Sequence, residues 1–419
     1  MADIRQFIND AVDARDQSGG RGGVADWIAA ADKPTAPRET RVAEALKKLP
    51  RTPQRALLLC TAMLHGAHAD VIDWGTATLL ASLSDGSGTT LSDLPLDERL
   101  QEIEAKPDAA RHVRFVSPGY EAAVRAYFWR HFPELHGTVA DWVRMTLDSK
   151  GLSDDDRETL ARGFTELCVE QRYQPLWRDL VRHLTSRPAK LTKMVAAATI
   201  LEHGLLDEKN SRTFRRQVYE WSLDDGTSDI LAEVLVAACD MMAGTHASEA
   251  LVRLHHLARR HPRRVGARDA LAALARGDHW LMSLLLSRLT RRSPEAGLTT
   301  DAEIFLTIAD ASHFTRRPST GQPLIRQSQV ASQLTAGWAL AFTRLPSEQW
   351  ASQATDWLHC AAEDNANRHV LVDVLVEGAR EITAVLPKLY ALAHRGAFRD
   401  VITGLVLTKI SAIQGIELP

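Results

Sequence analysis

From residue 38 to about residue 412, apolar side chains recur three or four positions apart with polar side chains between them. That spacing is the period of a helix packed on one side. Before it, Ile4, Phe7, Ile8 and Val12 give residues 3–16 a short amphipathic helix, and "QSGGRGG" (17–23) breaks the chain because clustered glycines cannot hold a helix. "KPTAP" (33–37) is a second break. Residues 38–49 then place Val42, Ala45, Leu46 and Leu49 on one side. Thr52 is expected to cap the next helix with Pro53 at its first position. That helix, "PQRALLLCTAMLHGA", is apolar nearly all round, as a central buried helix is. Residues 69–83 form a third helix and 84–98 a loop. The period then changes. Val113 and Phe115 alternate with polar residues, which predicts a short strand over 112–116. Ser117 and Pro118 suit the start of a helix, and Tyr120, Val124, Tyr127, Phe128 and His131 form a wide stripe along it until Pro133. Residues 138–147 carry Val139, Trp142, Val143 and Met145 on a further helix.

After Gly151 the pattern becomes uniform: helices of roughly 12–18 residues separated by short turns. Residues 153–172 hold Leu160, Phe164, Leu167 and Cys168 in register, and 175–185 hold Leu176, Leu180 and Leu184. Ser211, Ser228, Ser248 and Ser347 each stand before a helical pattern as expected N-caps. An all-α fold follows. Helix after helix with short turns predicts an irregular α-solenoid of HEAT or tetratricopeptide kind, with a compact all-α domain as the alternative. No strict repeat is visible; "LAALARGDHW" (271–280) and "LYALAHRGAF" (389–398) give a weak echo.

The net charge of −3 exerts no general pull toward nucleic acid or an anionic membrane. Cys60, Cys168, Cys239 and Cys360 lie far apart on apolar helices with no CxxC pair, so buried free thiols in a reducing cytoplasm are expected. There is no apolar signal core near Met1 and no evident run of the ~20 apolar residues that span a bilayer.

Catalytic signatures are missing. No GxxxxGK[ST] occurs; "SGGRGG" lacks its lysine and "DGSGTT" (85–90) is not a nucleophile elbow. His65, His68, Asp70 and Asp73 could hold a metal on paper, but two helix ends explain them better. His255 and His256, adjacent on a helix, point to different sides and make a poor ligand pair. "DDGTSD" (224–229) reads as a capped turn, and Asp154, Asp155 and Asp156 as carboxylates at a helix N-terminus. Trp280, Trp338 and Trp357 read as core. No cofactor, metal or catalytic residue is expected. A DNA glycosylase on a HEAT-like fold is the residual enzymatic reading, with no local signature.

Arginine is the stronger signal. Arg259, Arg260, Arg263 and Arg264, then Arg291 with Arg292, then Arg316 with Arg317, fall at successive turns. Stacked on one edge they would form a basic stripe for phosphate, nucleic acid or an acidic partner. Arginines that offset helix dipoles are the simpler alternative.

The run "RVAEALKKLPRTPQRALLLCTAMLHGAHADVIDWGTATLL", followed by "VRFVSPGYEAAVRAYFW", resembles the winged-helix region behind the ATPase module of bacterial STAND-type NTPases, especially actinobacterial ones. The resemblance covers about the first third of the chain in detail. After the N-terminal helix and glycine-rich loop (1–37), it implies a winged-helix-like domain (38–150) and a helical-repeat sensor (151–419). The chain departs from the family by lacking both Walker motifs, so no ATP hydrolysis is implied. The implied role is a regulatory and interaction module that binds a protein partner, an ATPase or the missing N-terminal part of a larger chain. Nucleic acid through the arginine turns is the alternative, and no membrane is expected. In a winged helix, residues 113–116 would be the wing and 69–83 the recognition helix, too acidic at Asp70 and Asp73 to face DNA phosphates. Tyr120, Val124, Tyr127, Phe128 and Trp129 would join the winged helix to the repeats.

Overall fold

The computed structural model describes residues 35–83, 94–170, 174–186, 190–291, 298–317, 321–395 and 400–415, together with positions 12, 15 and 23. The expected helix over 3–16 and the glycine loop over 17–23 fall almost entirely outside them. Among the described residues the chain forms twenty α-helices and one two-stranded sheet, an all-α architecture. It divides into two compact units, Met1–Glu220 and Trp221–Pro419. The division falls inside a helix, not at the turn near Gly151 where the periodicity becomes uniform.

In the first unit, α1 (Thr35–Lys48), α2 (Thr52–Met63) and α3 (Ala69–Leu83) come first. Every residue of α2 from Ala56 to Met63 is buried, as its all-round apolar pattern requires. Thr52 is the first residue of the helix and not its cap; Arg51 precedes it, and Gln54 Oε1 reaches back to accept from the Arg51 backbone N–H. The expected loop over 84–98 ends in a short helix, α4 (Leu96–Glu102). Strand β2 (Val113–Phe115) forms as the alternation predicts, against an unpredicted antiparallel partner, β1 (Ala105–Pro107). Lys106 stands opposite Arg114. The other side of β2 meets the connector between α2 and α3. Val113 exchanges backbone hydrogen bonds with Gly66 and Ala67, both 2.9 Å, and His68 bridges to His112.

Ser117 and Pro118 do not start the next helix. Gly119, with φ of 70°, turns the backbone instead, and α5 (Tyr120–His131) begins after it. A side chain would be strained at that φ. Ser117 Oγ accepts from Arg41, 2.6 Å away. Beyond α5 come α6 (His136–Asp148), α7 (Asp154–Glu170), α8 (Gln174–Leu184), α9 (Leu191–Leu206) and α10 (Ser211–Leu223), which runs across the boundary between the units. Ser153 and Asp156 cap α7 reciprocally, Ser153 Oγ accepting from the Asp156 N–H at 3.1 Å and the Asp156 carboxylate accepting from Ser153. Trp142 sits at the centre, its Nε1 donating to the Gly75 carbonyl at 3.0 Å. Trp177 stacks on Phe214 at 4.0 Å.

The second unit contains α11 (Asp229–Arg260), α12 (Val265–Gly277), α13 (His279–Thr290), α14 (Leu298–Ile308), α15 (Ala311–Thr315), α16 (Ser328–Arg344), α17 (Ser347–Glu363), α18 (Arg368–Gly378), α19 (Leu386–Arg395) and α20 (Asp400–Gln414). Of the four expected serine caps only Ser228 caps, accepting from the Leu231 N–H. Ser211 and Ser347 are first helical residues. Ser248 lies inside α11, whose break falls at His246, where φ and ψ leave the helical range. Asp278 caps α13 and Asp310 caps α15. Phe305, Trp338, Phe342, Trp350 and Trp357 join edge-on or tilted in a continuous aromatic core.

α11 is long and apolar enough, by length and composition, to cross a membrane, which the reading of the sequence did not anticipate. It is kinked at His246, and Leu231, Leu235, Leu251, Leu254 and Leu257 are buried in the second unit.

Candidate functional site

The arginine turns resolve into two groups. Arg259, at the end of α11, lies 3.5 Å from the Asp301 carboxylate. Arg260 pairs with Asp225 at 2.9 Å, and Arg264 with Glu233 at 2.6 Å and Asp229 at 3.5 Å. These three offset acidic residues of their own unit. Arg263, Arg291, Arg316 and Arg317 are exposed, and Arg292 lies outside the described residues. The "DDGTSD" turn is a capped turn: Asp224 accepts from the Gly226 N–H, and Thr227 Oγ1 donates to the Trp221 carbonyl.

A buried ionisable cluster adjoins Arg259. His255 and Asp301 are 2% and 1% exposed, and His255 Nε2 sits 3.0 Å from Asp301 Oδ1. Arg288, from α13, places Nε 3.3 Å from His255 Nδ1 and Nη2 3.5 Å from His256 Nε2. A carboxylate only accepts and a guanidinium only donates. His255 is therefore neutral, with its proton on Nε2. Burial is the main cause holding the His255 pKa below its ordinary value; Asp301 opposes it, while Arg288 and Arg259 reinforce it. Burial and the same arginines hold His256 down to about 4. The two imidazoles, expected to diverge, are both within reach of one guanidinium. The dyad is sealed from solvent, so it joins three helices and offers no open face to a substrate.

Sequence reasoning missed Asp301. Its signal was one of two carboxylates, with Glu303, in the otherwise apolar run "LTTDAEIFLTI"; a carboxylate there belongs on the surface unless a partner holds it.

In the first unit, the five residues expected to join the winged helix to the repeats lie on α5 and are buried unevenly. Tyr120 packs edge-on against Phe115, Val124 is fully buried, and Phe128 stacks on Phe132. Trp129 stacks on His136 at 4.0 Å and meets Phe164 of α7 edge-on at 6.0 Å. Tyr127 is half-buried beside His131, which is exposed. Arg125, between them, donates to the Ala62 carbonyl at 2.8 Å and to Glu166 at 2.7 Å.

The possible metal set over 65–73 is dispersed. His65 faces Glu121 at 3.2 Å, Asp73 pairs with Arg99, and His68 stands against Asp70 and His112. Among the described residues no three His, Cys, Asp or Glu side chains are grouped to hold a metal. Burial pushes the Cys60 and Cys239 thiols up to about 12 and Cys168 higher still, so these are inert core residues. Cys360, expected to be buried, is half-exposed beside Thr315. Trp338 and Trp357 are core, but Trp280 is 62% exposed at the start of α13.

No family model, curated protein or solved structure matches the chain.

Proposed function

We propose that the protein is a non-catalytic regulatory module of a STAND-like signalling system, in which a winged-helix-like region precedes irregular HEAT- or tetratricopeptide-like helical repeats and a protein partner is bound. The observation that carries the reading is the element order of the first unit. α2, the bridging residue His68, α3, α4 and the β1–β2 hairpin follow one another in the order of a winged helix, with β2 paired on both sides. In that order the helix before the hairpin is α4, not α3. α4 carries Asp97, Glu98 and Glu102; its Arg99 is tied to Asp73, and Arg111 of the hairpin to Asp97. A helix so charged faces a protein more readily than DNA phosphates. The buried thiols suit the reducing cytoplasm in which such a module would act.

Affinity capture of the tagged chain from native lysate, at low and moderate salt, tests the reading. A stoichiometric ATPase that lacks its own sensor supports it, and the absence of any protein partner under all conditions removes it.

A second reading rests on Arg263, Arg291, Arg316 and Arg317, whose exposure leaves them open to phosphates. It expects binding to DNA or RNA that falls steeply as salt rises. Binding that is absent, or indifferent to salt, removes it.

A further inference from the structure

We infer that His255, His256 and Arg288 form an acid-released clasp that holds the C-terminal half of α11 against α13 and α14. Two independent features of the fold meet here. The first is the break at His246, whose φ of −138° and ψ of 48° kink α11 and divide it into two helical segments. The second is the placement of the contacts by which the imidazoles reach two neighbouring helices. His255 uses both ring nitrogens, Nε2–H toward Asp301 of α14 and Nδ1 toward Arg288 of α13. His256 offers Nε2 to the same guanidinium.

A proton can enter His255 only at Nδ1, and His256 at the nitrogen facing Arg288. Either event turns an acceptor into a donor pointed at a donor. It also sets an imidazolium against a guanidinium, at a partly buried site where like charges repel strongly. The surrounding charges sharpen this. Arg259 and Arg260 flank the pair on α11, Arg288 reaches it from α13, and Asp301 is the carboxylate supplied by α14. On α12, Arg268 is already engaged with Glu303 of α14. Proton uptake therefore expels Arg288, and the segment after His246 loosens from α13. The lowered pKa of both histidines places the release below the ordinary histidine range, so the clasp stays shut at neutral pH and opens in acid.

Hydrogen exchange of the full chain, read by mass spectrometry and corrected for the intrinsic pH dependence of amide exchange, tests this from about pH 7.5 to about pH 4. Peptides from 247–260 and 279–290 should lose protection as pH falls, by about tenfold per pH unit for each proton taken up. Peptides of α2 should not. The double variant His255→Gln, His256→Gln keeps a donor for Asp301 and acceptors for Arg288 but does not titrate, so its protection should stay flat. Unchanged protection in the natural chain, or equal loosening in the double variant, overturns the proposal. Should that variant not fold, Arg288→Met serves. It should expose the same peptides at neutral pH and shrink their response to acid, and neutral-pH protection equal to that of the natural chain would equally overturn the clasp.

Discussion

The ring of Phe305 lies against the bare backbone of Gly337. A Cβ built on Gly337 would stand 2.2 Å from Phe305 Cε2, well inside contact distance. Phe305 meets Trp338 edge-on at 5.6 Å, so it has little room to retreat. Gly337→Ala should destabilise the protein by about 1–3 kcal/mol through overpacking, despite the gain of up to about 1 kcal/mol in helix propensity. Gly404→Ala, in α20, meets nothing within 4 Å and should stabilise by about 0.5–1 kcal/mol. Urea midpoints moving the same way in both variants would contradict this account.

Arg125 holds the first unit together across α2, α5 and α7. Its side chain is largely buried between the Ala62 carbonyl and Glu166. Arg125→Ala should cost about 3–5 kcal/mol, the range for removing one partner of a buried pair. Glu166→Gln, at a more exposed carboxylate, should cost clearly less. Chemical denaturation of both variants measures the difference.

Glu121 is buried beside His65, and burial raises its pKa above 4.5, with Arg125 acting in the opposite direction. The folded chain thus keeps this proton to a higher pH than the unfolded chain does. Stability falls as pH rises from 4.5 through the raised value, and stays reduced above it. Glu121→Gln should therefore unfold at a higher urea concentration than the natural chain at about pH 8, with the gap closing near about pH 4. A gap of constant size across that range would refute the assignment.

Trp338 and Trp280 are alike on paper and opposite in place. Trp338→Ala empties the aromatic core and should cost about 3–5 kcal/mol. Trp280→Ala removes an exposed side chain and should change stability by no more than about 0.5 kcal/mol. Thermal melts separate the two. If the regulatory reading holds and the partner docks near α13, Trp280→Ala should weaken capture without altering the melt.

Helices were the most legible part of the chain. The third helix occupies residues 69–83 as its apolar spacing indicates, and the buried run of α2 matches its all-round apolar pattern. The errors have local causes. α4 is seven residues of mostly charged sequence, too short to show a period. β1 is "AKP", and a proline in three residues argues against a strand until β2 is seen beside it. Ser248 resembles a cap because a helical pattern follows it, yet the backbone breaks two residues earlier, at His246. At the candidate site the arginine turns were visible, but not that Arg259, Arg260 and Arg264 are committed to carboxylates.

The sequence by itself determined that this protein is built from helices and where most of them lie, because the 3.6-residue period acts between neighbours along the chain. Only the tertiary structure decided which tryptophan is core and which is exposed, and that β2 pairs on both sides. Only it brought His255 to Asp301, 46 residues away, with Arg288 closing the group from a third helix. Such choices depend on which helix faces pack together, and packing is settled by burial and charge pairing across the whole unit, not by the order of residues within one turn.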